Sequence, residues 1–235
     1  MKTLSIIIPA YNEEKTIIPL LQKVVNVKLI NETQKEIIVV NDCSTDATEQ
    51  LVKGYILSHA EESIALVNQE KNQGKGAAIR KGLQAATGDY LIMQDADMEC
   101  DPEDYNVLLK TFLEENLKVL YGSRFLNHKN KYSYSSFYWG GRLITLFANL
   151  LFAQRLTDEP TCYKFFDAAF LKSIPLRCNG FEFCPEVTAK VAKRGVKIRE
   201  VAISYYPRSK AEGKKIKWTD GVEALWTLLK YRFVN

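Results

Sequence analysis

The chain has 235 residues, 46% of them hydrophobic and 26% charged, and its formal net charge is +4. This length is sufficient to bury a sizeable core, and the composition predicts one globular domain without low-complexity linkers. The net positive charge is small, and the basic residues form no dense Lys/Arg stripe interleaved with aromatic residues. Nucleic-acid binding is therefore excluded from the predicted functions.

Cysteine usage and hydropathy indicate where the protein resides. The five cysteines are odd in number and lack the CxxC spacing of zinc sites, which predicts reduced thiols in the cytoplasm. The apolar stretch near the N-terminus is too short for a secretory signal peptide, and charged residues follow it directly. No run reaches the roughly 18 apolar residues of a membrane-spanning helix, although the segments 143–153 and 224–233 come closest.

Short β-branched apolar runs in the first half predict buried strands at 4–8, 36–40, 63–68 and 89–94. Helical patterns separate these runs. The first helix must begin near Thr16, because Pro19 is tolerated only in a first turn, and two more helices are predicted at 44–56 and 74–86. The alternation of strand and helix predicts the α/β class, with a parallel sheet covered by helices on both faces.

The second half of the chain has a different character. Strands are predicted at 119–125 and 196–207, and helices at 180–195 and 224–233. A basic loop, 208–218, precedes the last helix. An aromatic stretch leads into an apolar one over 138–153, and this segment is compatible equally with a core helix and with an amphipathic helix at a membrane interface.

Polar clusters follow all four strands of the first half. These strands end in AYNEE, NDCSTD, QEKNQGKG and QDADMECD, in chain order. Ligands of open parallel sheets bind outside the carboxyl ends of the strands. The acids, amides and glycines of these clusters are therefore predicted to form one site.

The fourth cluster places Asp95 and Asp97 at a strand end, where a turn can bring both carboxylates toward one point. Carboxylate and phosphate oxygens are the ligands that Mg²⁺ prefers, and Mg²⁺ takes only one or two of them from protein. A solvated turn is the alternative, since Asp101 before Pro102 and Glu103 indicates the cap of the next helix. The convergence of four polar strand ends favours a metal site.

Three further features are compatible with an anionic nucleotide ligand. Lys75 stands at a glycine-rich helix start, which lacks the Ser or Thr of a P-loop but still favours an anion. Asp42 follows the second strand and can accept hydrogen bonds from a base or ribose, a helix cap being the alternative. The GSR motif and the loop 205–217 contain the basic residues Arg124, Arg208, Lys214 and Lys215. These side chains are either simply exposed to solvent or close over a phosphate-bearing ligand.

In this order and spacing, SIIIPAYNEE, EIIVVNDCSTDAT, NQGKGAAIRKGLQAATGDYLIMQDADMECDP and GSRF resemble the motifs of family-2 glycosyltransferases with the GT-A fold. LTDEPTCYKFF, GFEFCPEV and ISYYPRSKAEGKKI resemble the polyprenyl-phosphate branch, which includes dolichyl-phosphate mannose and glucose synthases. The resemblance covers nearly the whole chain. It implies a single domain with a Rossmann-like, mostly parallel sheet flanked by helices. A nucleotide-sugar-binding half, 1–125, would precede an acceptor-side half, 126–235, with its basic lid loop 205–217.

The resemblance also implies roles for individual residues. The nucleotide sugar would be bound by Pro9, Ala10, Tyr11, Glu13, Asn41, Asp42, Lys75, Asp95, Ala96, Asp97, Arg208, Lys214 and Lys215. Asp42 would read the base, although Asn41 replaces the more usual acid before it. Asp97 and Glu99 would ligate the Mg²⁺ or Mn²⁺ that bridges the diphosphate, although Glu99 departs from the glutamine or serine expected there.

The predicted activity is metal-dependent, inverting transfer of a hexose from a UDP- or GDP-sugar to a polyprenyl phosphate, with Asp97, Arg124 and Asp158 as catalytic residues. Arg124 and Arg142 would face the acceptor phosphate, which is largely dianionic at neutral pH and needs cations rather than a general base. One alternative is transfer to a sugar hydroxyl, with Asp158 or Glu182 as general base. Another is a nucleotide-sugar-binding module without catalysis.

A lipid acceptor implies contact with a membrane. The expected location is the cytoplasmic face of the membrane, with peripheral contact through the segment 138–153. Many bacterial members of this branch add membrane-spanning helices after the catalytic domain. The printed chain ends without them, so firm anchoring is expected to need a partner protein.

Overall fold

A computed structural model of the chain describes residues 1–131, 135–208, 215 and 217–234, with the backbone alone for Ser135 and Ser136. Its strands are β1 (Thr3–Ala10), β2 (Gln34–Asn41), β3 (Ile64–Asn68), β4 (Tyr90–Met93), β5 (Val119–Ser123), β6 (Lys164–Asp167) and β7 (Arg199–Ala202). Its α-helices are α1 (Ile17–Asn26), α2 (Thr48–Ser58), α3 (Lys75–Ala85), α4 (Tyr105–Glu114), α5 (Ser135–Phe152), α6 (Ala168–Lys172), α7 (Phe183–Lys193) and α8 (Trp218–Phe233). The strands form one sheet in the order β3-β2-β1-β4-β6-β5-β7.

The first four strands confirm the predicted alternation of strand and helix. β1 pairs in parallel with β2 and β4, and β2 pairs in parallel with β3. α1, α2 and α3 connect these strands in turn. Because α1 begins at Ile17, Pro19 lies in its first turn, where the missing N–H leaves no hydrogen bond unmade. The carboxyl ends of these strands therefore lie at one edge of the sheet.

β6 is a strand that the sequence reading missed. It runs antiparallel between β4 and β5, so the sheet is mixed rather than fully parallel. Phe165 and Phe166 point to opposite faces and enter different core clusters. Four residues that begin with a lysine carry no periodic signal of their own. Lys164 is nevertheless only 1% exposed and donates a hydrogen bond to the Glu159 carbonyl oxygen at 2.5 Å.

The prediction of a strand over 196–207 is wrong in its length. The four residues of β7 pair in parallel with β5, and beyond them Tyr205 forms an isolated antiparallel bridge with Cys100. Beyond β7, the Ile203 amide still donates to the Ser123 carbonyl oxygen of β5 at 3.1 Å, and the next two amides donate to side chains. The amide of Ser204 donates to Asp104 at 2.6 Å, and the amide of Tyr205 donates to Asn130 at 3.1 Å. These side chains satisfy the backbone without a partner strand and turn the chain toward the end of β4.

The helices predicted at 180–195 and 224–233 are confirmed as α7 and α8, and α8 already begins at Trp218. The start of a helix predicted after Asp101 is confirmed by a short 3₁₀ turn, Pro102–Asp104, followed by α4. In the part of the chain that the structure describes, no helix combines the length and hydropathy needed to cross a membrane.

The core lies on both faces of the sheet, because alternate residues of each strand point in opposite directions. On β1, Ile6 enters one cluster and Ile7 the other. A third cluster joins α5, α7 and α8 through Ala148, Phe152, Ala189, Leu228 and Tyr231. The segment 138–153 thus packs against a core on one side, while Leu146 and Leu150 of the same helix are 65% and 76% exposed.

Candidate active site

A cavity of about 1340 Å³, the site cavity, opens at the carboxyl ends of β1, β2 and β4. Its wall includes most residues predicted for the nucleotide sugar: Pro9, Ala10, Tyr11, Glu13, Asp42, Lys75, Asp95, Ala96, Asp97, Arg208 and Lys215. It continues past Arg124 and Tyr205 to side chains of α5 and α8. A smaller cavity of about 340 Å³, against Lys2, Asp89 and Asp167, contacts none of the predicted residues.

Asp42 organises the loop that leads into α3. Its Oδ1 accepts hydrogen bonds from Gln69 Nε2 at 2.6 Å and from the Gln73 amide at 2.8 Å. Its Oδ2 accepts one from the Gly74 amide at 2.8 Å. Gly74 has a φ of 95°, which favours glycine, and an added Cβ would lie 2.7 Å from the Asn179 carbonyl oxygen. Asp42 therefore shapes the rim of the site cavity with the same oxygens that were predicted to read a base.

Asn41, although predicted to bind the nucleotide, does not line the site cavity. Its side chain donates to Asn68 Oδ1 and accepts from the Ser44 amide, both at 3.0 Å. Asn41 is only 2% exposed, and both ends of its amide are engaged. The geometry therefore gives it a structural part, in which it joins the end of β2 to β3 and to the following loop.

Lys75 at the start of α3 forms an ion pair with Asp95 at the end of β4, with 2.6 Å between Nζ and Oδ1. Burial by itself would lower the pKa of Lys75, but the Asp95 carboxylate raises that pKa above its ordinary value. Nζ also lies 5.8 Å from the centre of the Phe181 ring. The helix start thus meets an acid of the strand end, and the two opposite charges form part of the cavity wall.

Asp97 and Glu99 follow in the turn after β4, and both line the site cavity. Oδ1 of Asp97 accepts a hydrogen bond from the Glu99 amide at 3.0 Å. Burial, together with the neighbouring Asp95 and Glu99 carboxylates, raises the pKa of Asp97 to about 7, and Arg208 opposes this shift. Negative charge is therefore concentrated at this strand end, as the sequence predicts.

The segment after β7 closes against this acidic strand end. Glu99 accepts hydrogen bonds from the Arg208 amide at 2.8 Å and from the Tyr205 hydroxyl at 3.0 Å. The Arg208 guanidinium lies 3.2 Å from Glu13 Oε2 and 3.3 Å from Asp97 Oδ2. Arg208 is thus held over the site cavity by two acids from separate strand ends.

Lys215 provides a second cation at the same place. Its Nζ lies 2.7 Å from Glu13 Oε1 and also donates to the Tyr11 carbonyl oxygen. Lys214 lies outside the described residues, so its predicted contact with the donor stays a prediction. Arg208 and Lys215 together cover the part of the site cavity that is bordered by the ends of β1 and β4.

Arg124 lines the site cavity and is held by Asp158 through two side-chain hydrogen bonds of 2.7 Å. Asp158 is fully buried and does not line the cavity, whereas a general base must reach the proton that it removes. The geometry therefore favours a positioning role over the predicted general base. Glu182, the other candidate base, also lies off the cavity wall, and its Oε1 accepts from the Asn179 and Gly180 amides at 3.0 Å each.

Arg142, predicted to face the acceptor phosphate, lies beside the site cavity rather than in its wall. Its Nη1 donates to the Thr157 carbonyl oxygen at 3.4 Å, and its guanidinium lies 5.3 Å from the centre of the Phe125 ring. Phe125 lines the cavity, so Arg142 lies behind a residue of the cavity wall. Its contact with an acceptor stays a prediction.

The sequence model of glycosyl transferase family 2 matches residues 5–174, which run from the third residue of β1 to beyond β6. The chain belongs to glycosyl transferase family 2. Both the recognition of the motifs and the predicted enzyme class are thereby confirmed.

This family-2 glycosyltransferase is 30% identical, over 97% of its length and 72% of the other protein, to a dolichyl-phosphate β-glucosyltransferase of Trichomonas vaginalis. It is 27% identical to the dodecaprenyl-phosphate galacturonate synthase of Rhizobium johnstonii, over 90% of its length and 61% of that protein. A solved glucosyl-3-phosphoglycerate synthase from Mycobacterium tuberculosis, in complex with Mn²⁺, UDP and phosphoglyceric acid, is 21% identical. It matches with a TM-score of 0.71 over 100% of this chain and 80% of that one, which confirms the fold.

Glu159 is one of the acids in the cavity wall of this glycosyltransferase that the sequence analysis did not name. Glu159 is fully buried and lines the site cavity. Its Oε1 accepts a hydrogen bond from the Thr188 hydroxyl at 2.7 Å, whereas Oε2 has no hydrogen-bond partner among the described residues. Its position next to Asp158 in LTDEP was the available signal, but spacing alone does not tell which of two adjacent acids reaches the cavity.

A divalent metal ion fits the acidic strand end of this glycosyltransferase. In residues 1–131, 135–208, 215 and 217–234, no three His, Cys, Asp or Glu side chains are already grouped to hold one. Burial and the repulsion from Asp95 and Glu99 raise the pKa of Asp97, and a bound cation would relieve that repulsion. Asp97 is engaged by the Glu99 amide and by Arg208, and Glu99 by Tyr205 and the Arg208 amide, so their ligation of a metal stays a prediction.

Proposed function

We propose that this family-2 glycosyltransferase transfers a hexose from a UDP- or GDP-linked donor to a polyprenyl phosphate at a membrane surface, with Mg²⁺ or Mn²⁺ as cofactor. The transfer is a direct in-line displacement that inverts the anomeric carbon. Two relatives support the acceptor class, since one is named for dolichyl phosphate and the other for dodecaprenyl phosphate.

The course of the site cavity is the observation that carries this proposal. The cavity begins at the acidic end of β4, passes Arg124 and extends to Phe137, Tyr138 and Trp218 on α5 and α8. An acceptor whose phosphate is bound at Arg124 would therefore have its chain directed along aromatic side chains toward these two helices. Such a route suits a lipid chain.

The phosphate of such an acceptor is a nucleophile that needs no general base. Its second pKa is about 6, so it is largely dianionic at neutral pH. Arg124 supplies a cation to orient it, and Asp158 fixes the guanidinium in one place beforehand. Asp158 and Glu182, the two bases predicted for a hydroxyl acceptor, both lie off the cavity wall, so neither is placed to serve that reaction.

The donor side needs positive charge where the diphosphate departs. Arg208 and Lys215 supply it by exchanging their contacts with Glu13 and Asp97 for contacts with phosphate oxygens. A divalent metal, when bound, neutralises charge that develops on the leaving diphosphate, and Asp97 is the residue that would hold it. The same strand end thus binds the donor and stabilises its departure.

Two neighbouring helices present exposed apolar side chains at helical spacing, and together these form the apolar face: Trp139, Leu143, Leu146, Leu150, Trp218, Val222, Trp226, Leu229 and Phe233. Their exposed fractions run from 37% for Leu229 to 80% for Trp218. α5 and α8 pack on each other through the third core cluster, so the two stripes lie on adjoining helices. A patch of this kind marks a surface that contacts a membrane or another protein.

Charge favours a membrane as the surface that the apolar face contacts. Exposed basic residues lie on or beside the same helices, at Arg142, Lys217, Lys230 and Arg232. Apolar stripes bordered by cations are typical of helices that lie in the interface of an anionic bilayer, such as the cytoplasmic leaflet. We therefore include peripheral contact with that leaflet in the proposal, and a partner protein for firmer anchoring, since interfacial helices alone bind reversibly.

The test combines the purified protein with a panel of UDP- and GDP-sugars and a short-chain polyprenyl phosphate, with and without Mg²⁺ or Mn²⁺. The expected result is metal-dependent formation of a lipid-linked sugar of inverted configuration. The corresponding polyprenol, which lacks the phosphate, is the matched control and should not react. Glycosylation of a sugar hydroxyl, with no reaction of the phosphate, would overturn the proposal.

A further inference from the structure

Glu159 differs from the other acids of the site cavity because it is fully buried and its Oε2 has no hydrogen-bond partner in the described part of the chain. We propose that Oε2 of Glu159 binds a hydroxyl group of the sugar that is transferred, and thereby helps to select the donor. This inference rests on the proposed function for the ligand, a nucleotide sugar, and is independent of the acceptor.

Glu159 is fixed in place by three elements of the fold. Its amide donates to the Thr145 hydroxyl of α5 at 3.0 Å, and its carbonyl oxygen accepts from Lys164 Nζ of β6 at 2.5 Å. The Thr188 hydroxyl of α7 donates to Oε1 at 2.7 Å. The carboxyl group is therefore preorganised, as a residue that recognises one hydroxyl needs to be.

The surroundings of Glu159 connect it to the donor side of the site cavity. Cys162 and Cys184 line the cavity together with Glu159. Cys162 Sγ accepts a hydrogen bond from the Asp95 amide at 3.1 Å. Burial raises the pKa of the Cys184 thiol, and that thiol lies within electrostatic range of Lys75, Glu159 and Asp95. A sugar joined to a diphosphate at the end of β4 would occupy this part of the cavity.

Neighbouring charges do not complete the hydrogen bonding of Oε2. Lys164 directs Nζ to the main chain, 3.8 Å from the centre of the Tyr121 ring, and Arg124 is bound to Asp158. A buried polar atom without a partner destabilises the folded state, which points to a ligand that supplies the partner. Burial raises the pKa of Glu159, an effect that Lys164 opposes, and in either protonation state Oε2 can bond a hydroxyl group.

A sugar fits this position better than the other parts of the donor. A carboxyl group would repel a diphosphate, and a base stacks on flat surfaces rather than on a single buried oxygen. Pro160 and Phe181 also line the site cavity and offer apolar surfaces against which a pyranose ring can pack. One polar contact among apolar walls is typical of a pocket that fixes the orientation of its ligand.

The test measures donor binding by calorimetry in the absence of acceptor, with Mg²⁺ or Mn²⁺ present. Glu159→Met removes both oxygens at similar volume, and Thr188 keeps the Tyr121 hydroxyl as a partner at 3.0 Å. We expect affinity for the nucleoside diphosphate to stay within about twofold, and affinity for the nucleotide sugar to fall about 10- to 100-fold. A donor that lacks the recognised hydroxyl group should bind the wild type more weakly than the complete donor does, by the same factor. The variant should bind the two donors with equal affinity.

The matched control is Glu186→Gln, which alters a buried glutamate of α7 that does not line the site cavity. It should lower thermal stability without changing the ratio of the two affinities. Three results for Glu159→Met would overturn the inference: an equal loss of both affinities, an unchanged ratio, or lost turnover with both affinities intact. If nucleotide sugar binds as expected but polyprenyl phosphate does not react, the proposed acceptor is wrong and the role of Glu159 stands.

Discussion

The carboxylate of Asp158 binds the guanidinium of Arg124 through both of its oxygens, with Nε–Oδ2 and Nη2–Oδ1 distances of 2.7 Å. Oδ2 also accepts the Arg124 main-chain amide at 2.9 Å. The loop that carries Asp158 is itself fastened to β7, because Glu200 accepts the Asp158 amide at 2.9 Å. A carboxylate outside the site cavity therefore determines where a cation inside it is located.

Asp158→Asn is expected to lower the free energy of unfolding by about 3–5 kcal/mol, because it leaves the largely buried Arg124 without its counter-charge. The KM for the acceptor should rise, since the guanidinium is no longer held in one orientation. The shape of the pH–rate profile should not change, because Asp158 does not reach the acceptor. Urea denaturation and steady-state kinetics at several pH values measure these effects.

Glu115→Gln is the matched control for Asp158→Asn. It removes an exposed ion pair with Arg199, whose Nε lies 3.1 Å from Glu115 Oε2, and should cost about 0–1 kcal/mol. If Asp158→Asn lowers the free energy of unfolding by no more than this, Asp158 does not stabilise the fold as the counter-charge of a buried Arg124. Disappearance of the acid limb of the pH–rate profile would instead make Asp158 the general base of a hydroxyl-dependent reaction.

The acidic run after β4 contains two separate features, and Asp97→Asn tests the first. Asp97 lines the site cavity, so this variant should abolish metal-dependent turnover and the gain in nucleoside diphosphate affinity that the metal provides. Chelation of the wild type should have the same effect, reversed by Mg²⁺ or Mn²⁺. Calorimetric titration with and without chelator, followed by turnover measurements, checks both outcomes.

Asp101→Asn is the control from the same run of acids. Oδ1 of Asp101 accepts the Glu103 amide at 3.3 Å and Oδ2 lies 3.7 Å from Lys23 Nζ, so this residue caps a turn instead of serving the cavity. Asparagine also caps helices well, and stability should change by less than about 1 kcal/mol. If Asp97→Asn retains metal dependence, or if Asp101→Asn loses it, the assignment of Asp97 to the metal site and of Asp101 to the helix cap is wrong.

The parallel half of the sheet and its polar edge are predictable because their signals are local. Each strand is a short apolar run, and each polar cluster follows it directly in the sequence. β6 is not predictable in this way, because its four residues pair with strands distant in sequence. Backbone pairing with β5 stops after the Ile203 amide, which still donates to the Ser123 carbonyl oxygen, because side chains of Asp104 and Asn130 take the amides of Ser204 and Tyr205.

Roles within the site are less predictable than its location, since they depend on partners far apart in sequence. Asp158 is an acid beside a catalytic motif, and only its contact with Arg124, 34 residues away, shows what it holds. Asn41 ends a strand as a ligand-binding residue would, yet its side-chain amide joins β2 to the end of β3 and to the following loop. Glu13 and Arg208 meet across 195 residues, a contact that no local pattern predicts.

Arg208→Ala is expected to weaken nucleoside diphosphate binding about 10- to 150-fold. A hydrogen bond to a charged group contributes about 1.5–3 kcal/mol, and Arg208 is the arginine held over the donor end of the site cavity. Added salt should reduce the difference between wild type and variant. Arg199→Ala, at an exposed arginine of β7, is the control and should bind as the wild type does. Tighter binding by Arg208→Ala would show that its pairs with Glu13 and Asp97 mainly block the site.

Leu146→Glu and Trp226→Glu test the contact of the apolar face with a membrane. Each variant replaces an exposed apolar side chain by a charged one. Burial of one such side chain in a membrane contributes about 1.5 kcal/mol or more to the binding free energy, so affinity for anionic liposomes should fall about tenfold for each variant. Folding stability should change by less than about 0.5 kcal/mol, because both side chains are exposed. Cosedimentation with liposomes and thermal unfolding measure the two quantities.

Leu57→Glu alters an equally apolar side chain that is 82% exposed on α2, and it is the control for position. It should leave liposome binding unchanged. Turnover of a short, water-soluble polyprenyl phosphate should survive in all three variants, because neither Leu146 nor Trp226 lines the site cavity. Turnover of the same acceptor embedded in liposomes should fall for the two variants of the apolar face alone. If these variants instead convert a dimer into a monomer and bind liposomes as the wild type does, the apolar face joins two copies of the chain and the lipid must reach Arg124 by another route.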